Sequence, residues 1–130
     1  MSTDLSLFLP DGLAVRPPRL GDSGTPVLED RDEMTTAEWC RAIDALAAGG
    51  MGRASLMGGE PLLRKDVGAI VRHLVRRGVH ASMNTNGWLV PQRIDEIESL
   101  DLVCITLDGP PEVHDVQRHP GSYARVLTAI

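Results

Sequence analysis

Cysteine is almost missing from this 130-residue chain: there are two, Cys40 and Cys104, far apart and in no CxxC or other metal-ligand spacing. That excludes a thiolate metal site of the usual short-loop kind, and each reads as a small buried hydrophobe. Aromatic residues make up only 3% of the chain, so any core is built from Leu, Val, Ile, Ala and Met. No apolar run approaches the roughly 18 residues of a membrane span, and no basic stretch followed by an apolar one opens the chain as a signal peptide would. Basic residues are outnumbered, 13 Lys and Arg against 18 Asp and Glu, for a formal charge of −5. Phosphate binding needs the opposite balance, so neither nucleic acid nor a membrane surface is an expected partner. A cytoplasmic location follows.

What is present is a 42% hydrophobic, 24% charged composition, enough for one domain with one core. Residues 1–34 form an irregular N-terminal segment, rich in Pro, Gly and Asp, with one short apolar run at Leu5 to Leu9 that could be a strand. From Thr35 to Ile130 the pattern is regular. Thr35-Thr36-Ala37-Glu38 reads as a capping box, and Trp39, Ile43 and Leu46 follow on one helical face. Arg53 to Met57 reads as a strand, and a second helix places Val67, Ile70, Val71 and Leu74 on one face with Gly78 closing it. Val79 to Asn84 is the next strand. Pro91 opens a third helix with Ile94 and Ile97 inward. Leu102 to Asp108 is strand-like, and a last helix carries Tyr123, Val126, Leu127 and Ile130. The order α-β-α-β-α-β-α predicts an α/β fold of βα units on a parallel sheet buried on both faces.

Ligands of such folds bind at the carboxyl ends of the strands. Three polar loops fall there: Gly58-Gly59-Glu60-Pro61, Asn84-Thr85-Asn86-Gly87 and Asp108-Gly109-Pro110. Each alone is an ordinary turn sequence. Together they place carboxylates, amides and a hydroxyl on one rim, as a small polar ligand requires.

Gly58-Gly59-Glu60-Pro61-Leu62-Leu63 resembles the GGEP motif of radical S-adenosylmethionine (SAM) enzymes, and Asn84-Thr85-Asn86-Gly87 resembles the segment after their third strand. Thr106-Leu107-Asp108-Gly109-Pro110, with Glu112, His114, Asp115, Arg118 and Gly121-Ser122-Tyr123, is similar to their fourth-strand segment, most closely in peptide- and protein-modifying members with a C-terminal auxiliary-cluster domain. The resemblance implies roughly the first half of a partial (β/α)6 barrel. It implies that Glu60 and the Gly58-Gly59 backbone hold the methionine ammonium of SAM, with Pro61 closing the motif. Asn84 and Thr106 would contact the nucleoside or methionine part, Arg118 the SAM carboxylate, and Asp108 the substrate side. Arg118 and His114 each read equally well as a solvated surface residue.

The family's 4Fe–4S cluster is held by CxxxCxxC after the first strand, which here would fall before residue 35. No cysteine stands there, no His precedes His73, and Asp11, Asp22, Glu29, Asp30, Asp32 and Glu33 are hard oxygen ligands unsuited to the cluster. The resemblance also implies fifth and sixth strands beyond Ile130. The expectation is a truncated radical SAM enzyme, whose family chemistry is reductive cleavage of SAM and hydrogen-atom abstraction from a peptide or protein, inactive as this chain alone. Two alternatives are a non-catalytic SAM-binding or partner protein without the cluster, and a half-barrel that self-associates through its open sheet edges.

Overall fold

In a computed structural model, the structure describes residues 5–8 and 33–130. Four strands, β1 (Leu5–Phe8), β2 (Arg53–Gly58), β3 (His80–Thr85) and β4 (Leu102–Ile105), form one sheet in the order β1-β2-β3-β4. β2, β3 and β4 are parallel, as the alternating pattern predicts, while β1 runs antiparallel to β2 with Leu5 opposite Gly58. β1 lies in the segment read as one strand and a loop. Residues 9–32 of that segment lie outside the described residues.

Three helices follow the expected plan: α1 (Thr36–Ala48), α2 (Val67–Arg76) and α3 (Val90–Ile97). The capping box forms as written, Glu38 N–H donating to Thr35 Oγ1 at 3.3 Å and Thr35 N–H to Glu38 Oε2 at 2.8 Å. After β4 there are two helices where one was expected, α4 (Pro111–Gln117) and α5 (Ser122–Ala129). Pro110 and Pro111 supply the fixed φ that suits a helix start. Asp115 of α4 then accepts from the Gly121 and Tyr123 amides at 2.8 and 2.7 Å, pinning the first turn of α5.

The helices cover one face of the sheet. Trp39 and Ile43 of α1, Ile70, Val71 and Leu74 of α2 and Ile97 of α3 are buried with Ala54, Leu56, Ala81 and Met83 of the strands. Burying a side chain of this size contributes about 1.5–3 kcal/mol. Among the described residues the other face is less covered, where the sequence pattern predicts a sheet buried on both faces. Ser55 and Ser82 are half-buried there, and Asn84 and Cys104, Cα partners across β3 and β4, are exposed. Alternation along each strand produces this division. It corrects three readings. Cys104 is not a buried hydrophobe, because it takes the open side of β4. Ile94 is 48% exposed, since only Val90 and Ile97 of α3 face the core. Leu127 and Ile130 are likewise exposed, leaving Val126 as the buried residue of α5's apolar set.

Candidate functional site

The carboxyl rim begins where β2 ends. Gly58 and Gly59 are exposed, and Glu60 is turned inward, 5% exposed, at the head of a short 3-10 turn over Pro61–Leu63. Its carboxylate is heavily used. Oε1 accepts from Leu62 N–H at 3.0 Å and from Thr85 Oγ1 at 2.7 Å, and Oε2 accepts from Asn86 N–H at 2.8 Å. A carboxylate has about four acceptor positions, so three bonds nearly exhaust it. Glu60 therefore lashes the loop after β2 to the end of β3.

The loop is braced from below by Arg93 of α3. Its guanidinium donates to the carbonyls of Leu62, Arg64 (2.8 Å) and Lys65 (3.2 Å), and is itself held by Glu96 at 2.7 Å on two nitrogens. Arg64, 8% exposed, reaches back to the Met34 carbonyl at 2.7 Å and pairs with Asp66 and Glu33. The start of α1, the loop after β2 and α3 are thus joined through charged groups that a buried loop with free carbonyls would need.

The loop after β3 divides by strand parity. Asn84 points to the open face, while Thr85 is buried and bonds Glu60. Asn86 Oδ1 accepts from Trp88 N–H at 2.9 Å, which tightens the turn. Gly87 occupies φ +83°, and a Cβ there would lie 2.8 Å from Ile105 Cγ2, so both backbone and packing demand glycine. Thr106 continues the β3–β4 ladder through its N–H to the Thr85 carbonyl at 3.1 Å. By alternation from Cys104 it belongs to the same face as Asn84.

Beyond β4, Asp108 and Arg118 meet each other. Arg118 Nε lies 2.6 Å from Oδ2 and Nη2 3.3 Å from Oδ1. The guanidinium holds the Asp108 carboxyl below the usual carboxylate range, and Asp108 in turn raises Arg118 further. His114 stands behind them, and it is not a solvated surface residue: it is 1% exposed. Its Nδ1 accepts from Asp108 N–H at 3.2 Å, so the neutral ring carries its proton on Nε2 and donates to Ser122 Oγ at 3.0 Å. Trp88 Nε1–H donates to the same Ser122 oxygen at 3.0 Å, joining the loop after β3 to the start of α5. Arg125 stacks over the Trp88 ring at 4.3 Å.

Of the residues singled out in the sequence, Glu60 bonds Thr85 and Asn86 in one cluster, with Gly58, Gly59 and Pro61 beside it in the chain. Asn84 and Thr106 share the open face, and Asp108 and Arg118 form a pair. No direct bond links the Glu60 cluster to the Asp108–Arg118 pair among the described residues. Trp88 and Arg93 were not singled out, and Thr85 and Ser122 stood only within longer motifs, with no role of their own. Their roles depend on partners 25 to 34 residues away, which no local pattern signals. The two thiols lie in different layers, Cys40 on α1 and Cys104 on the open face of β4. Among the described residues no group of three or more His, Cys, Asp or Glu is arranged to hold a metal ion. Nor, among them, is any helix long and apolar enough to cross a membrane.

A family model described as the radical SAM superfamily matches residues 20–130. The chain is 35% identical over 100 residues to a PqqA peptide cyclase of Ruegeria pomeroyi, covering 73% of this chain and 27% of that protein. It is 35% identical over 103 residues to an AdoMet-dependent heme synthase of Methanosarcina barkeri, covering 75% and 30%. It is 33% identical over 91 residues to a GTP 3',8-cyclase of Heliobacterium modesticaldum, covering 67% and 28%. The chain spans less than a third of the length of each of these relatives.

Proposed function

The chain belongs to the radical SAM superfamily, and from that premise we propose that its carboxyl rim is a SAM-binding surface. The observation that carries this reading is the convergence of complementary groups at the ends of three parallel strands. The exposed Gly58–Gly59 backbone offers carbonyl acceptors suited to an ammonium, which only donates. Glu60 lies directly beneath, adding negative charge and holding the loop in shape through its three hydrogen bonds. Asn84 and Thr106 offer an amide and a hydroxyl to the nucleoside or methionine part. Arg118 offers a guanidinium to the carboxylate, and Asp108 stands toward the substrate.

The whole-protein activity we assign is that of the family: reductive cleavage of SAM and hydrogen-atom abstraction from a substrate. Likeness to a PqqA peptide cyclase supports a peptide or protein as substrate. This chemistry uses a 4Fe–4S cluster on thiolates. The donor set here does not fit one, since the sequence has two cysteines and they occupy different layers. We therefore assign this chain SAM binding without cleavage on its own. Retention of the rim without a thiol triad equally supports a non-catalytic SAM-binding or partner role.

Anaerobic reconstitution with iron and sulfide is expected to leave the chain without the visible absorbance of a cluster. Stoichiometric incorporation would overturn the assignment of inactivity. Calorimetry with SAM is expected to show weak heat, and none at millimolar SAM would remove the binding reading. Should SAM bind while no 5′-deoxyadenosine forms under reductant, the non-catalytic role stands.

A further inference from the structure

Arg118 presents two edges, and only one is in use. Asp108 takes the Nε–Nη2 edge, at 2.6 and 3.3 Å, while Nη1 has no partner among the described residues. The Arg118 side chain is 47% exposed and Asp108 only 20%. An incoming anion could replace Asp108 or join Arg118 beside it, and these alternatives differ in what must be broken. Replacement breaks two charge-assisted hydrogen bonds. It also releases a carboxylate whose own backbone is fixed: Asp108 N–H is tied to His114, His114 to Ser122, and Ser122 to Trp88. His114 and Ser122 are 1% and 2% exposed, so this post has no solvent to relax into. Addition at Nη1 breaks nothing. It also meets a guanidinium already held in one orientation, sparing a long side chain's rotamer entropy.

We propose that Asp108 is a positioning residue for Arg118, gripping one edge of the guanidinium so that the other is offered to the carboxylate of an amino-acid-bearing ligand. His114 is the buried post that fixes Asp108. The proposal rests on the SAM-binding reading for the identity of the ligand, but not for the grip itself.

The grip is read from the Arg118 side-chain Nε–H resonance in the intact chain. It is expected to be protected from exchange, with Asp108→Asn accelerating its exchange about tenfold or more. Equal exchange in both proteins overturns the grip. Positioning is read from binding of SAM and of 5′-methylthioadenosine, which lacks the amino-acid end. Asp108→Asn is expected to weaken SAM about tenfold, to leave 5′-methylthioadenosine unchanged, and to add nothing in an Arg118→Gln background. Tighter SAM binding by Asp108→Asn makes Asp108 a competitor and overturns the proposal. Equal weakening of both ligands shows general damage and overturns it too. If the wild-type chain binds neither nucleoside, the SAM reading fails while the positioning claim is judged with acetate. Acetate perturbing the guanidinium with Nε–H still protected supports positioning, and loss of that protection overturns it.

Discussion

Glu60 shows how one side chain can be chemically conspicuous and yet be spent inside the fold. Its motif implies a ligand-side carboxylate, while its oxygens face three donors from Leu62, Thr85 and Asn86. Glu60→Gln would turn one acceptor into a donor. Placed at Oε2, the new amide opposes the Asn86 N–H; placed at Oε1, it opposes that of Leu62. Either way a buried donor loses its partner, which costs about 1–3 kcal/mol. The variant is expected to unfold at lower urea concentration with an unchanged slope. An unchanged midpoint would mean that the carboxylate does not pin the two loops. His114 teaches the converse. Nothing beside it in the sequence separates a surface histidine from a buried one, and only the return of α5, bringing Ser122 to its Nε2, decides the matter.

At the scale of elements, the loop after β2 owes its shape to a helix that follows in the sequence some 30 residues later. Arg93 of α3 satisfies the carbonyls of Leu62, Arg64 and Lys65, and Glu96 keeps its guanidinium in place. Arg93→Met keeps much of the aliphatic stem and removes those donors. The expected loss is about 2 kcal/mol of stability, together with faster amide exchange at residues 62–65. Normal protection of that loop in the variant would show that the 3-10 turn stands without its brace. The strands and helices themselves were largely legible in advance. The capping box at Thr35 and the turn at Gly87 depend on neighbours in sequence, and so does the alternation in β2 and β3. The second helix after β4 was not, because α4 is short and its starting prolines also read as a turn. The inward and outward sides of α3 and α5 were also misjudged at Ile94 and Leu127, since period alone does not say where the core lies.

At the scale of the whole molecule, six carboxylates share one bias. Asp44 is lowered by hydrogen bonds from Arg77 and His73, Glu96 by Arg93, Asp101 by His80 and the Ala81 amide, Asp108 by Arg118, and Asp115 by the Tyr123 and Gly121 amides. For Asp66 burial raises the value, but hydrogen bonds from Thr36 and Arg64 outweigh it and the net shift is downward. Each group binds its proton more weakly when folded, so the unfolded chain takes up more protons in acid. The stability contributed is fully present above the unfolded carboxyl values of about 4 and is lost as pH falls through the lower folded values. Melting followed by circular dichroism should be nearly level from about pH 7 to 5 and fall steeply toward about pH 3. A melting temperature that held or rose in acid would contradict this. The β4 edge makes a separate expectation. Among the described residues it is an outer strand of the sheet, and Leu102 is 56% exposed, so we propose concentration-dependent self-association through it. Sedimentation velocity over a concentration series should show it, and Leu102→Lys should abolish it. A monomer at every concentration would discard the idea.

Periodicity and turn chemistry act between near neighbours, so the sequence by itself determined the alternation of β2 to β4 with α1 to α3, the parallel pairing of those three strands and the three polar loops at their carboxyl ends. Its motifs carried the family as well. Hydrogen bonds between distant segments leave no such trace. Only the tertiary structure decided that Glu60 is bound by Thr85 and Asn86, that Asp108 holds Arg118, and that His114 is buried behind them. In each case the partner lies on another element, and only packing of the helices on the sheet brings the two within bonding distance.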